Sequence, residues 1–115
     1  MSEHKKYDQG KLRWHLMPEP SLEEVMKVLE YGATKYGDFN WTKGADWSRY
    51  QNALERHLKK FKNGQDFDNE TGLAELAHIA TNALILLYFQ LYKLGNDDRF
   101  KQKGGTDVKW NKNKS

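Results

Sequence analysis

The stretch from Asp68 to Tyr92 constrains the fold most, because it joins a long apolar run to regularly spaced polar residues. Glu75, His78 and Asn82 recur at i, i+3 and i+7, so on an α-helix they share one stripe. The apolar residues from Ala77 to Leu91 point in almost every direction around the helix axis. Such a helix must be buried on most sides, either by the rest of the chain or by a second subunit.

The polar stripe on this helix has two interpretations. An unpaired polar group in a buried helix costs about 1–3 kcal/mol, so each of these side chains needs a partner, a metal ion or water. A single histidine among apolar neighbours is usually a hydrogen-bonded core residue. Three polar groups in register, with Asp68 and Glu70 just upstream, are also typical of a functional site. From the stripe alone, both interpretations stay open.

Two further helices are predicted upstream, and nothing in the chain predicts a strand. Ser21 and Glu24 match a capping box after Pro20, and the apolar stripe that follows is predicted to stop at Gly32. The second helix is predicted from about Asp46 to Phe61. Its inward-facing residues are expected to be Tyr50, Leu54, His57, Leu58 and Phe61. We therefore expect an all-α fold: a helical bundle with at least three long helices, assembled as a homo-oligomer.

The length of 115 residues suits one domain with a single core. We divide it into an irregular basic N-terminal arm (1–20), a helical domain (21–95) and a polar, basic, loosely ordered tail (96–115). The net charge of +3 belongs entirely to the tail, which has six basic and three acidic residues. A solvated tail of this kind gives little reason to expect nucleic acid as a partner.

The chain has no cysteine, which fits a reducing compartment. Its N-terminal residues form no long apolar stretch, and the apolar helix is interrupted by Thr81, Asn82 and Gln90. From these features we expect neither a secretion signal nor a clean membrane span. We expect a cytoplasmic protein with no membrane partner.

Two segments have the composition of a phosphate or nucleotide contact. The predicted loop from Gly32 to Gly44 holds lysines and aromatic rings, namely Lys35, Tyr36, Phe39, Trp41 and Lys43. Glycine lets a ligand approach the backbone, and the rings offer flat faces, although a tight loop pinned to a core has the same composition. In the arm, Lys11 and Arg13 could reach over a neighbouring cleft to phosphates or could simply be solvated.

Carboxylates on two adjacent helices suggest magnesium chemistry. A bundle that supplies Glu55 from one helix and Glu75 with His78 from the next could hold the ion in its core. Imidazole is a poor magnesium ligand, so His78 would suit a transition metal, an oriented water or a general base. Asp68 is expected to be the N-cap of the long helix, which would make it a structural group rather than a ligand.

The strings KYDQGKLRWHLMP, VLEYGATKYGDFNW, RHL and LAHIATNAL, with the run Asp68–Gly72, resemble the phage dATP/dGTP diphosphohydrolase domain of the MazZ-like group. The resemblance covers roughly residues 6–91. It implies membership of the all-α nucleoside triphosphate pyrophosphohydrolases related to MazG, which form dimers or tetramers and use Mg²⁺. For a phage-encoded protein, it also implies the host cell cytoplasm.

Carried over residue by residue, the resemblance implies cleavage of a purine deoxynucleoside triphosphate, dGTP or dATP, into the monophosphate and pyrophosphate. Glu75 and His78 would be catalytic. The metal ion, Mg²⁺ or alternatively Mn²⁺ or another divalent metal, would be held by Glu55, Asp68, Glu70, Glu75 and His78. The substrate would be bound by Lys11, Arg13, Lys35, Tyr36, Asn40, Trp41, Arg56 and Asn82.

The carboxylate pattern departs from that of the MazG-type enzymes, which have ExxE on one helix and ExxD on the next. Here His78 stands in the Asp place after Glu75, and the first pair is reduced to Asn52 and Glu55. Either Asp68 and Glu70 complete the cluster, or the metal differs, or the domain binds nucleotides without hydrolysing them. The alternatives are therefore a phage sponge that sequesters a nucleotide immune signal and a plain oligomerisation module.

Overall fold

The structure, a computed structural model, describes residues 9–101. Its three long helices are α1 (Glu19–Tyr36), α2 (Trp47–Lys62) and α3 (Glu75–Tyr92), with short 3-10 turns at Trp14–Leu16 and Asn40–Lys43. The only β-type pairing among these residues is two isolated bridges, so the predicted all-α fold is confirmed. No helix in residues 9–101 is long and apolar enough to cross a bilayer.

The start of α1 differs from the prediction. The helix begins at Glu19, its N-cap is Pro18, and no side chain caps it, so the capping box predicted at Ser21 and Glu24 is wrong. Pro20 lies inside the first turn, where the missing N–H is tolerated because first-turn N–H groups have no partner within the helix. The helix can therefore start before the predicted cap.

The end of α1 also lies beyond the prediction. The helix continues through Gly32 to Tyr36 and is closed by Gly37, whose φ of 95° requires a residue without a Cβ. The predicted loop from Gly32 to Gly44 is consequently shorter, and its first residues are helical. This places Lys35 and Tyr36 on the last turn of α1 rather than in the predicted loop.

Helix α2 lies within a residue of its predicted bounds, whereas α3 starts later than expected. The N-cap of α3 is Ala74, so the prediction that Asp68 caps this helix is wrong. Asp68 instead caps the turn before it, accepting hydrogen bonds from the backbone N–H groups of Glu70 and Thr71. A short polar side chain readily forms such a turn, because it can bond to backbone two or three residues ahead.

Helix α3 packs most extensively against α2 and less extensively against α1. Phe89 is fully buried and meets Tyr50 of α2 edge to face, with ring centroids 5.3 Å apart. The other face of α3 carries leucines that are about half exposed, namely Leu76, Leu84, Leu87 and Leu91. The burial on most sides that the sequence predicts is thus not supplied by residues 9–101 of a single chain.

The chain beyond α3 folds back onto the start of α2. The Trp47 indole N–H donates to the Leu94 carbonyl over 2.8 Å, and the Asp98 carboxylate accepts bonds from the backbone N–H and hydroxyl of Ser48. Gly95 has a φ of 74° and lies against the backbone of Ala45, where a Cβ would collide. The region predicted to be a loose tail therefore begins with docked residues; residues 1–8 and 102–115 lie outside the described part.

Candidate functional site

Glu75, the first residue of α3, is the most deeply buried polar group described, with no exposed surface. One carboxylate oxygen, Oε1, accepts a bond from His57 Nδ1 of α2 over 2.6 Å. The other, Oε2, accepts a bond from the Gln65 side-chain amide, also over 2.6 Å. Because both oxygens have donors, the charge is buried without an unsatisfied atom, and the His57 ring is fixed with its Nδ1 proton toward Glu75.

Asp68 stands beside this pair and is 6% exposed. Its Oδ2 accepts the two turn bonds, whereas Oδ1 lies 3.5 Å from Lys60 Nζ and 3.7 Å from His57 Nδ1. Burial by itself would raise the pKa of Asp68. The backbone N–H groups of Thr71 and Glu70, with smaller electrostatic contributions from His78 and Lys60, outweigh it and hold the pKa below its ordinary value. Asp68 is therefore an anion at neutral pH.

The His78 ring stacks on that of His57, with centroids 4.3 Å apart and planes within 5° of parallel. His78 Nε2 lies 2.7 Å from the Thr71 hydroxyl, which accepts a bond from the Leu73 N–H and so has its own hydrogen free to donate. Burial and then the electrostatic effect of the neighbouring His57 lower the pKa of His78, against the opposing effect of the Asp68 and Glu75 carboxylates. His78 is thereby held in its neutral form.

These four side chains, His57, Asp68, Glu75 and His78, are called the floor cluster. Three of them line a pocket of about 320 Å³, and the fully buried Glu75 is bonded to one of these three, His57. Such a volume is at the small end of the range for ligand pockets. The walls come from the second half of α1, the turn after it, α2, the connection between α2 and α3, and α3. Their side chains include Tyr31, Lys35, Tyr36, Phe39, Asn40, Trp41, Tyr50, Glu70, Thr71, Thr81, Asn82 and Ile85.

The mouth of the pocket is aromatic and carries one ammonium group. Trp41 packs edge to face on Tyr88 of α3, with centroids 4.7 Å apart. Lys35 Nζ lies 5.4 Å from the ring centroid of Tyr36 and 3.9 Å from the Glu70 carboxylate. Tyr36, Tyr31 and Glu70 together raise the pKa of Lys35, so it keeps its charge. The pocket therefore offers flat faces and a cation outside, and acidic and imidazole groups inside.

The structure brings together most of the residues that the sequence analysis assigned to a site. Eight line the pocket, namely Lys35, Tyr36, Asn40, Trp41, Asp68, Glu70, His78 and Asn82. Glu75 joins them through its bond to His57. Asn82 also donates a hydrogen bond to the His78 carbonyl one turn back.

Four of the assigned residues lie elsewhere in the chain. Glu55 and Arg56 are exposed on another face of α2, along a groove with Lys59 and Lys62, and Glu55 accepts a bond from Gln51. Arg13 lies in a groove against Leu22, about 20 Å along α1 from Lys35, and Lys11 precedes it in the arm. Within one chain, the structure thus separates Glu55 from Glu75 and His78, contrary to the expectation that they meet.

His57 is the site residue that sequence reasoning missed. Two residues along an α-helix correspond to a rotation of about 200°, so only one of Glu55 and His57 can face α3. The inward stripe of Tyr50 and Leu54 includes His57, and this was the signal that could have assigned it to the site. Thr71 and Gln65 were missed because they lie in an irregular connection, whose contacts no periodicity predicts.

Three groups of the floor cluster could hold a divalent cation. His57, Asp68 and Glu75 each offer one ligand atom, and these atoms lie within 4.8 Å of one another. One imidazole nitrogen with two carboxylate oxygens fits Mn²⁺ or another first-row transition metal better than Mg²⁺, which prefers oxygen ligands. Binding through His57 Nδ1 would require loss of the proton now shared with Glu75, so metal and proton compete there.

A helical bundle in which neighbouring helices enclose a buried cluster of carboxylates and imidazoles is of the class that holds ligands and metal ions between its helices. The family described as "dATP/dGTP diphosphohydrolase, N-terminal" matches residues 1–99. The chain belongs to this family, which confirms the resemblance given by its sequence motifs.

A curated protein of Salmonella phage PMBT28, named dATP/dGTP diphosphohydrolase, is 36% identical to this chain over 94 residues. The aligned region is 82% of this chain but 32% of the relative, so the chain spans about a third of that protein's length. No solved structure matches the chain.

Proposed function

We propose that the pocket binds a purine deoxynucleoside triphosphate, dGTP or dATP, and that the chain hydrolyses it to the monophosphate and pyrophosphate. The observation that carries this proposal is the floor cluster, a set of buried acidic and imidazole groups at the base of a pocket with aromatic walls. The name of the phage relative favours hydrolysis over sequestration of an unchanged nucleotide.

The groups at the mouth would bind and orient the nucleotide. Lys35 is charged and lies 3.9 Å from the exposed Glu70 carboxylate, a weak contact that a phosphate oxygen can replace. Asn40, on the turn after α1, and Asn82, on α3, would offer amide donors and acceptors to the sugar or base. The triphosphate would then extend from the mouth toward the floor cluster.

The floor cluster would provide the hydrolytic chemistry. A divalent ion held by His57, Asp68 and Glu75 would neutralise phosphate charge and increase the acidity of a bound water. Gln65 fixes the Glu75 carboxylate, and Thr71 fixes the His78 ring, so both groups are oriented before substrate binds. His78, neutral because of its lowered pKa, can accept a proton from the attacking water.

The test is turnover of a nucleotide panel by the pure chain. The four common deoxynucleoside triphosphates are incubated with Mn²⁺, Mg²⁺ or EDTA, and monophosphate and pyrophosphate are quantified by chromatography. We expect metal-dependent release from dGTP or dATP, and its loss in His57→Asn and Glu75→Gln. Matched controls on the exposed surface are His15→Asn and Glu24→Gln, which should keep full activity. Full turnover in His57→Asn would contradict the proposal.

We further propose that the chain works as a homo-oligomer, a dimer or tetramer. The exposed stripe of Leu84, Leu87 and Leu91 repeats at i, i+3 and i+7 on α3 and would be covered by a second copy. Contact of Lys11 or Arg13 with phosphates would then occur in the partner's pocket, because the arm lies at the far end of α1 from its own.

Light scattering coupled to gel filtration tests this assembly. We expect at least a dimer for the native chain and a monomer for Leu84→Lys combined with Leu87→Lys, since charges cannot be buried in such an interface without partners. Substituting an exposed residue outside the leucine stripe, as in Met26→Lys, should leave the mass of the oligomer unchanged. A monomeric native chain at high concentration would contradict the proposal.

A further inference from the structure

Phe39 combines two features that are each unfavourable for the free protein. Its backbone is in the left-handed region, with φ 58° and ψ 25°, where the Cβ of an L-residue is crowded. Its side chain is 69% exposed, so the ring gains little from burial. A glycine at this position would form the same turn without strain, and a polar residue would be better solvated.

The local turn explains the backbone of Phe39 but not its ring. The Phe39 carbonyl accepts bonds from the backbone N–H and the hydroxyl of Thr42, which close the 3-10 turn after it. The other non-glycine residue with positive φ in the described chain is Lys93, which ends α3 and carries a long polar side chain. Phe39 differs because it presents an aromatic face to solvent from a constrained position.

The Phe39 ring lies on the wall of the pocket, near its mouth. It meets Trp41 edge to face, with ring centroids 6.1 Å apart and planes at 74°. Trp41 is itself packed edge to face on Tyr88 of α3. Because the row of rings is anchored to α3 and Phe39 is its outermost member, Trp41 supports the Phe39 ring on one side while most of that side chain stays exposed to a ligand.

We propose that Phe39 is the platform on which the nucleobase stacks, with Trp41 as its support. The inference rests on the proposed function only in taking the ligand to be a nucleotide. Phe39 is exposed, whereas the metal-binding groups Asp68 and Glu75 are buried, so the base would stack at the outer side of the pocket while the triphosphate runs past Lys35 toward the buried groups. Stacking accepts any base, and a larger purine ring overlaps the platform more than a pyrimidine does.

The experiment measures binding without turnover. Calorimetric titration in the presence of Mn²⁺ compares three probes: the α,β-methylene analogues of dGTP and dCTP, and inorganic tripolyphosphate, which has no base. We expect Phe39→Ala to raise the Kd of the dGTP analogue roughly tenfold, which corresponds to about 1.4 kcal/mol. The same substitution should weaken binding of the dCTP analogue less and should leave the affinity for tripolyphosphate unchanged. Phe39→Trp should retain binding, and Phe100→Ala, which removes another exposed ring, should have no effect.

A stability measurement separates a binding role from a structural one. Phe39→Gly relieves the positive φ, so its melting temperature should equal or exceed that of the native protein while its affinity for the dGTP analogue falls. Lys93→Gly is the matched control, because it relieves the same strain away from the pocket and should leave affinity unchanged. A marked drop in melting temperature for Phe39→Gly would make Phe39 a packing residue and overturn the inference.

The binding data also distinguish this inference from the proposed function. If the chain binds the dGTP analogue but hydrolyses no nucleotide, the hydrolase proposal fails, and weakened binding by Phe39→Ala still supports the platform. If dGTP is hydrolysed and Phe39→Ala binds its analogue as tightly as the native chain, the platform alone is overturned. Absence of nucleotide binding by the native chain would overturn both.

Discussion

Glu75→Gln removes one negative charge from a fully buried side chain while keeping its length and volume. The carboxylate accepts two bonds of 2.6 Å, one from His57 and one from Gln65. The side-chain oxygen of a glutamine can still accept the bond from His57. Its NH₂ group then faces the NH₂ group of Gln65, and neither can accept a hydrogen bond from the other. The Gln65 NH₂ group already donates to the Phe67 carbonyl over 2.8 Å. One charge-assisted hydrogen bond is therefore replaced by two opposed donors.

The magnitude follows from this exchange. A hydrogen bond to a charged group contributes about 1.5–3 kcal/mol, and relief from burying the charge offsets only part of its loss. We expect Glu75→Gln to lower the free energy of unfolding by about 2–3 kcal/mol and Glu75→Ala by about 3–5 kcal/mol. The alanine variant is thus a poor test of catalysis, because it loses stability as well as chemistry.

Urea denaturation followed by circular dichroism measures these values. The matched control is Glu70→Gln, whose side chain is 71% exposed and whose contact with Lys35 is 3.9 Å, so it should cost less than about 1 kcal/mol. Nitrogen-resolved spectra of the imidazoles should show the His57 ring with its proton on Nδ1 in the native chain and a mixture of tautomers in Glu75→Gln. Equal stability of native and Glu75→Gln proteins would refute the buried bonding described for this carboxylate.

Three further outcomes follow from the structure. First, Gly95→Ala should destabilise the fold by at least about 2 kcal/mol more than Gly64→Ala, since both have positive φ but only Gly95 lies against backbone; similar urea midpoints would contradict this. Second, the pKa of His78 is lowered in the folded protein, so folding favours the neutral imidazole. The free energy of unfolding should therefore decline as the pH falls below 6.5, the ordinary histidine pKa, and this decline should be less steep in His78→Gln. Third, the lowered pKa of Asp68 adds stability that is present above about pH 4 and lost in more acidic solution, and Asp68→Asn should reduce this loss in acid titrations.

The helices were predictable because their signals are local. The apolar stripe and the flanking polar residues predicted both ends of α2 to within one residue. The apolar run from Glu75 onward identified α3 as a helix. The bounds of α1 were less predictable, because Pro20 is compatible with a first turn as well as with a helix boundary, and Gly32 does not stop a helix that is packed elsewhere. Local patterns define which segments are helical, whereas packing sets their ends.

The site was predictable in composition but not in its partners. Glu75 and His78 share a stripe by spacing alone, which the structure bears out. Choosing His57 over Glu55 required knowing which face of α2 meets α3, and the inward stripe gave that information only in outline. The turn formed by Asp68 depends on backbone bonds in an irregular connection, which sequence periodicity does not describe.

The turn at Asp68 allows hydrogen exchange to detect opening of the connection between α2 and α3. Two backbone amides, those of Glu70 and Thr71, are protected only as long as one carboxylate oxygen of Asp68 stays in place. Their rate of exchange with deuterated solvent would follow the opening of this segment residue by residue. Any ligand that draws Asp68 away from the turn would accelerate exchange at these two amides before the helices themselves begin to open.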